Sequence, residues 1–346
     1  MKLILVLFVS LLFVFVELNS FDCDTVVSPG DRRRDKNKLR VCSFNPEYLF
    51  DGVDDSSSGC PWETSSAATK HLEKVAQVLE AIDCDLISLY EVEDCEMLSR
   101  LNDLLSGYDY HYYIMKGTDT STRQQTSILT RIDPTPLSAS TALLRSDERV
   151  WFPVSGSNCG YTGSGSSYGV SKNHYAVFEM NGLEILLIGA HLRAFPTSAE
   201  PCARREAQAL VLRKLAEDEG FSKGREVIVM GDLNDYSDID PDINSDQPLS
   251  RVLRFIREGE SSSSDLLINT ASLMSQDMRY SCWWDKNYND YENYPEEDTQ
   301  IDHVLMSQGL INKVSNAYIY HSIDVSYPET NFNGDHYPVV VDLEFN

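Results

Sequence analysis

Beyond its first twenty residues the sequence has no apolar run long enough to cross a bilayer, which takes about 20 consecutive residues. It has no Cys-x-x-Cys pair and no cysteine–histidine cluster at zinc-finger spacing, which argues against a structural zinc. No Asn-x-Ser/Thr tripeptide occurs, so N-linked glycosylation is not expected. No repeat divides the chain, and no linker is long enough to split it. Cations are scarce: 29 Lys and Arg stand against 54 Asp and Glu, a formal charge of −25. So acidic a net charge is awkward for a nucleic-acid binder, because such proteins usually attract phosphates with a basic face. It suits one that holds hard cations. Acidity also serves plain solubility, so charge alone decides nothing.

What is present begins with a compartment signal. Met1-Lys2 precedes an apolar stretch from Leu3 to Val16 and the polar residues Glu17-Leu18-Asn19-Ser20. This is the pattern of a secretory signal peptide over residues 1–20, and it predicts a secreted protein. All eight cysteines lie beyond it, and an even count in an oxidising compartment favours disulfides whose pairing the sequence leaves open. Cys42 and Cys84, set in apolar strand-like runs, are candidates for buried free thiols. Residues 21–38, with Arg32-Arg33-Arg34, read as a flexible solvated leader, and residues 39–346 as one large domain.

Short continuous apolar runs at 86–89, 185–188, 227–230 and 339–341 read as buried strands. Ala68, Leu72, Val75, Leu79 and Ile82 recur at spacings of four and three, which places them on one helical face. Ala203, Ala207, Leu210 and Val211 form a second such face. Stretches 51–59, 155–169 and 258–265, rich in Gly, Ser and Asp, read as surface loops. Alternating strands and helices with hairpin-like pairs near the end give an α/β layered fold.

The informative residues stand at the ends of those strands. Asn45 and Glu47 follow Val41-Cys42-Ser43-Phe44, Glu91 follows Leu89-Tyr90, His191 closes the 185–188 run, and Asp232 with Asn234 closes 227–230. Asp302 opens the run from Ile301 to Met306, and Asp335-His336 precedes the 339–341 run. Carboxylates, amides and imidazoles at such positions are costly to desolvate unless paired or bound to metal. Their number implies a shared cleft at one sheet edge.

Six segments carry a resemblance: Ser43-Phe44-Asn45-Pro46-Glu47, Tyr90-Glu91-Val92-Glu93, Gly189-Ala190-His191-Leu192, Gly231-Asp232-Leu233-Asn234-Asp235, Ile301-Asp302-His303 and Gly334-Asp335-His336-Tyr337-Pro338. In this order they resemble the endonuclease/exonuclease/phosphatase superfamily, the deoxyribonuclease-I-like fold, and among its members the secreted extracellular nucleases. The resemblance implies a four-layer sandwich of two mixed β-sheets flanked by helices. It implies Mg²⁺ or Mn²⁺ held by Glu91 with Asn45, Glu47 and Asp335 nearby. It implies that His336, oriented by Asp302, activates a water, with Asp232 as the competing base. Asn234 would orient the phosphate or the nucleophile, and His191 would stabilise the transition state or assist the leaving group. Nucleic acid is the implied substrate.

Some residues depart from the family pattern. Tyr90 stands where relatives carry Gln or Asn, and Glu93 where the pancreatic-type enzyme has a groove-contacting arginine. Arg123, Arg131 and Arg193 are candidates for phosphate contacts, each equally consistent with a surface ion pair. Residues 285–296 place Asp285, Asn287, Asn289 and Glu296 at EF-hand-like spacing, a candidate structural Ca²⁺ loop without the turn glycine. Trp283, Trp284, Tyr288, Tyr291 and Tyr294 offer an aromatic platform for bases or lipids. Alternatives on the same scaffold are a sphingomyelinase-like phospholipase, a phosphomonoesterase or a non-catalytic binding protein.

Overall fold

The structure is a computed structural model that describes residues 23, 26, 29–55, 57–137, 141–260, 265–286, 293–322 and 334–345. The expected signal peptide lies outside the described residues, and among those described no helix is long and apolar enough to cross a membrane.

One sheet has six strands in the order β14 (Val314–Ile319), β15 (Val339–Glu344), β1 (Lys38–Phe44), β2 (Leu86–Val92), β4 (Gln125–Thr130) and β3 (His111–Met115). The other has five: β10 (Leu267–Asn269), β13 (Asp302–Ser307), β9 (Glu226–Asp232), β8 (Leu183–His191) and β7 (Lys172–Met180). Two short ribbons, β5 (Val150–Phe152) with β6 (Ser166–Tyr168) and β11 (Cys282–Trp283) with β12 (Asp298–Thr299), decorate this frame. The first ribbon corrects the reading of 155–169 as loop throughout, since its last residues pair with β5.

Alternation along the strands explains the layering. Ile185 and Leu187 of β8 and Ile228 and Met230 of β9 enter the core shared with the first sheet. Leu186, Ile188, Val227 and Val229 enter the core beneath α3 (Ala199–Leu215) and α4 (Val252–Glu258). Each central strand is therefore apolar on both faces, as its continuous run required. Helices α1 (Ser65–Ile82) and α2 (Cys95–Leu104) cover the first sheet. The result is the four-layer sandwich of two mixed sheets. Helix α1 starts where the Thr64 side chain accepts from the Ala67 N–H and stops at Asp83, which is left-handed (φ 45°). It buries Ala68, Leu72, Val75, Leu79 and Ile82, the face read from the sequence.

Two expectations need correction. The leader is not a free arm: Arg32 makes two bonds to Asp133 (2.5 and 2.9 Å), and Arg33 is buried between Asp31 and the Lys38 carbonyl. Buried guanidinium groups need acceptors, and these are supplied locally. Cys42 and Cys84 are not free thiols, because they pair with each other, as do Cys23 with Cys95 and Cys159 with Cys202. The free cysteines are Cys60 and Cys282.

A polar seam joins the two sheets. Ser88 Oγ donates to Tyr90 Oη (2.8 Å), and Tyr90 Oη donates to the Met230 carbonyl (3.0 Å). His174 Nε2 lies 3.4 Å from Ser88 Oγ, and burial depresses its pKa to about 3. Tyr90 thus faces the sheet interface, opposite in the strand alternation to Glu91. A Cβ on Gly189 would stand 2.3 Å from the His174 ring, which is itself fully buried. Gly189→Ala should therefore lower unfolding stability by about 1–3 kcal/mol, the cost of overpacking, measured by urea denaturation.

Candidate active site

Strand direction decides where the polar strand ends meet. β1 and β2 run parallel, as do β8 and β9, so Asn45, Glu91, His191 and Asp232 all leave at one edge. β13 and β15 run antiparallel to β9 and β1, so their first residues return to that same edge. Asp302 lies directly opposite Asp232 in the register.

His336 Nδ1 lies 2.7 Å from Asp302 Oδ2, which also accepts from Ser281 Oγ (2.8 Å). Its Nε2 faces Asp232 Oδ2 at 3.8 Å and Asp335 Oδ1 at 3.6 Å. His191 Nε2 lies 3.5 Å from Asp232 Oδ2 and 3.7 Å from Glu91 Oε1. Asn45 Nδ2 donates to Asp232 Oδ2 (3.1 Å), and its Oδ1 accepts from the Glu47 N–H (3.0 Å). The Tyr48 N–H holds Glu91 Oε2 (3.1 Å), and the Asn234 N–H holds Asp232 Oδ1 (3.1 Å). Asn234 Nδ2 donates to the Leu192 carbonyl.

The backbone is bent to do this. Glu47, Tyr48, Glu91 and Asn234 all have left-handed φ, between 46° and 55°. Such residues cost on the order of 1–3 kcal/mol each and gather at functional sites. Gly231 makes room beside them, since a Cβ there would overlap the Ala190 carbonyl oxygen at 1.8 Å.

Burial and charge split the titrating groups. Burial raises the Asp232 pKa to about 7; His336 opposes this, while Asp302 and Glu91 reinforce it. Burial opposes the charged form of His336, yet the carboxylates of Asp302 and Asp335 hold its pKa well above the ordinary value. His191 moves the other way, through burial and then the Lys172 and His336 cations, and stays neutral. Glu91 and Glu47 are both raised, chiefly by burial; Lys172 opposes the shift at Glu91, and Asp335 adds to both.

Lys172 was not anticipated. It opens β7 opposite His191, and its Nζ donates to Gln124 Oε1 (2.8 Å) and lies 3.8 Å from Asp119. Burial lowers its pKa, while Glu91, Asp119 and Asp232 support the cation. A lone strand-initial lysine carries no sequence signal; only the register with His191 reveals it.

The arginine candidates separate. Arg193 is exposed just beyond His191, close enough to act on Lys172 electrostatically. Arg123 is paired with Asp55, and Arg131 with Asp83 and Asp85. Glu93 accepts from the Asp51 N–H (2.9 Å). In the candidate calcium loop, Asn287 and Asn289 lie outside the described residues. Glu296 is exposed, whereas Glu297 is buried and accepts from the Lys286 and Asn293 N–H groups at 2.9 and 3.0 Å. Of the aromatic platform, Trp283 is buried, Trp284 and Tyr294 are exposed, and Tyr288 and Tyr291 lie outside the described residues.

Glu47, Glu91 and Asp335 are near enough to act on one another electrostatically, and all three offer oxygen ligands only. Asp335 Oδ1 is buried without a hydrogen-bond partner. Such a set fits Mg²⁺ or Mn²⁺, which take carboxylates and waters.

Comparisons with known proteins agree with this architecture. A search among curated proteins finds no match. An endonuclease/exonuclease/phosphatase from Bacteroides vulgatus is 18% identical with a TM-score of 0.54, over 90% of this chain and 100% of its own. D. rerio TDP2 complexed with single strand DNA product is 12% identical with a TM-score of 0.52, over 88% and 98%. The mannosyl-6-phosphatase of Bacteroides thetaiotaomicron is 18% identical with a TM-score of 0.51, over 88% and 98%. At these identities the likeness speaks to the fold alone. The sequence profile of the endonuclease/exonuclease/phosphatase family, however, matches residues 62–323, most of the chain. On that match and this fold, the chain belongs to the endonuclease/exonuclease/phosphatase family, divalent-metal-dependent hydrolases of phosphoester bonds.

Proposed function

We propose that this protein is a secreted, metal-dependent phosphodiesterase that hydrolyses nucleic acid by in-line attack of water. The observation that carries the reading is the convergence of Asp232, the Asp302–His336 pair, His191 and Glu91 at one sheet edge. When bound at Glu47, Glu91 and Asp335, Mg²⁺ or Mn²⁺ supplies polarisation of the phosphoryl oxygen and charge neutralisation.

The chain's own residues divide the remaining work. Asp232, with a pKa near neutrality and fixed by Asn45 and the Asn234 N–H, is the group that takes the proton of the attacking water. His336, kept cationic by Asp302, binds the phosphoryl oxygens as charge builds on them. His191, held neutral, faces the same centre and assists the leaving oxygen. Lys172 and Arg193 attract the phosphodiester anion that the acidic surface would otherwise repel. Lys172→Met should lower kcat/KM about 10- to 100-fold, the loss of one charge-assisted contact, in steady-state assays. Secretion is supported by the signal-like residues 1–20 and three disulfides. Nucleic acid is favoured by the family and by the fold shared with a protein seen with single-strand DNA.

The test offers duplex DNA, single-stranded DNA, RNA, sphingomyelin and a sugar phosphate in parallel, with Mg²⁺ or Mn²⁺. Cleavage of nucleic acid that EDTA and His336→Ala both abolish is the expected result. Turnover of only the lipid or the monoester would replace the substrate assignment, and no turnover at all would leave a binding protein.

A further inference from the structure

A free thiol stands beside His336. Cys282 pairs with His336 as an isolated antiparallel bridge, and its Sγ donates to the Trp283 carbonyl at 3.5 Å. One ligand atom each from Cys282, Asp335 and His336 lies within 4.8 Å of the other two. Two further observations prepare this group for a metal. His336 is bound at Nδ1 by Asp302, the arrangement in which a second carboxylate orients a metal-ligating imidazole through its remote nitrogen. Asp335 Oδ1 is buried without a hydrogen-bond partner, 3.6 Å from His336 Nε2. That separation matches neighbouring ligands around tetrahedral zinc, which lie about 3.3–3.8 Å apart at ordinary Zn–ligand lengths.

We propose that Cys282, Asp335 and His336 form a thiolate-containing site for Zn²⁺, and that its occupancy switches the hydrolase off by capturing His336 Nε2. The switching half rests on the proposed role of His336; the site itself does not.

Chemistry sorts the metals. A thiolate selects Zn²⁺ over Mg²⁺, whereas the carboxylates Glu47 and Glu91 select the harder ion. Asp335 is common to both sets, so the two occupancies compete. Binding releases a proton from the Cys282 thiol and one from the His336 imidazolium. Imidazolium, thiol and carboxylate together carry no net charge, and neither do Zn²⁺, imidazole, thiolate and carboxylate. Three protein ligands leave the fourth zinc position to water. Sequence spacing hides the set, because Cys282 is far from Asp335-His336 in the chain and joins them only through the bridge.

Co²⁺ reports the site without any assay of turnover, through a thiolate-to-metal charge-transfer band in the near ultraviolet. The band is expected in the wild type and in Cys60→Ser, which alters the other free cysteine, and should vanish in Cys282→Ser. Should Cys282→Ser fail to fold, Cys282→Ala reads the same band. In parallel, Zn²⁺ is titrated into the Mg²⁺-supported reaction. Cys282→Ser should keep its basal rate and need roughly tenfold or more Zn²⁺ for half-inhibition, since even outer partners of a metal ligand are worth that much. No band in the wild type, or a band that survives loss of Cys282, overturns the site. Equal inhibition of both proteins overturns the switch. A Cys282-dependent band without inhibition keeps the site and overturns the catalytic reading of His336.

Discussion

Replacing His336 by alanine should lower turnover by about 10²–10⁴-fold, the span ordinarily lost with a positioned acid–base or charge-stabilising group. Asp302→Asn should fall within the same range, because a neutral amide at 2.7 Å from Nδ1 no longer sustains the imidazolium. The pH profile separates the two roles. Asp232 has its pKa raised to about 7, so its carboxylate is protonated below that value and ionised above it. If Asp232 accepts the water's proton, kcat/KM rises with pH through about 7. His336 has its pKa raised well above the ordinary imidazole value, so it loses its charge only on the alkaline side and gives a descending limb there. Rates measured from about pH 5 into the alkaline range should show both limbs. Asp232→Asn should lose the ascending limb with its rate. An ascending limb that persists in Asp232→Asn but disappears in His336→Ala would make His336 the base instead.

The largest effect on stability is expected at Arg205. Its side chain is fully buried, with Nε donating to Asp235 Oδ2 (2.9 Å) and the other nitrogens to the carbonyls of Arg193, Phe195 and Pro196 (3.0, 3.0 and 2.9 Å). One guanidinium thereby ties the segment after His191 to the residue following Asn234. Arg205→Met should cost about 3–5 kcal/mol, read as a shift in the urea midpoint, because it strands a buried carboxylate. The pH dependence identifies the cause. Burial already lifts Asp235 above the ordinary carboxylate range, with Arg205 and Ser250 opposing it. Without Arg205 that pKa climbs further, so the folded variant holds a proton that the unfolded chain releases. Stability of Arg205→Met should therefore fall as pH rises above the ordinary carboxylate value of about 3.9. A loss with no added pH dependence would instead indicate packing alone. Activity should fall as well, since Arg193 and Asn234 both hang on this clamp.

The sequence by itself determined the layered fold and much of the candidate site. Continuous apolar runs demanded strands covered on both faces, and a polar or charged residue closing such a run must lie at a sheet edge. That logic reached Asn45, Glu91, His191, Asp232, Asp302 and His336, which the structure brings to one edge. The tertiary structure alone decided which segments face one another. Lys172 stands at the site because β7 pairs with β8 in a register that sets it opposite His191. Cys282 reaches His336 through a single bridge, and Tyr90 turns into the inter-sheet seam. Arg32 and Arg33, read as a solvated arm, found acceptors in Asp133 and Asp31. Side-chain periodicity is a local property that composition along the chain reveals. Strand register and ion pairing between distant segments are not local, because they are settled by the packing of residues that the sequence keeps far apart.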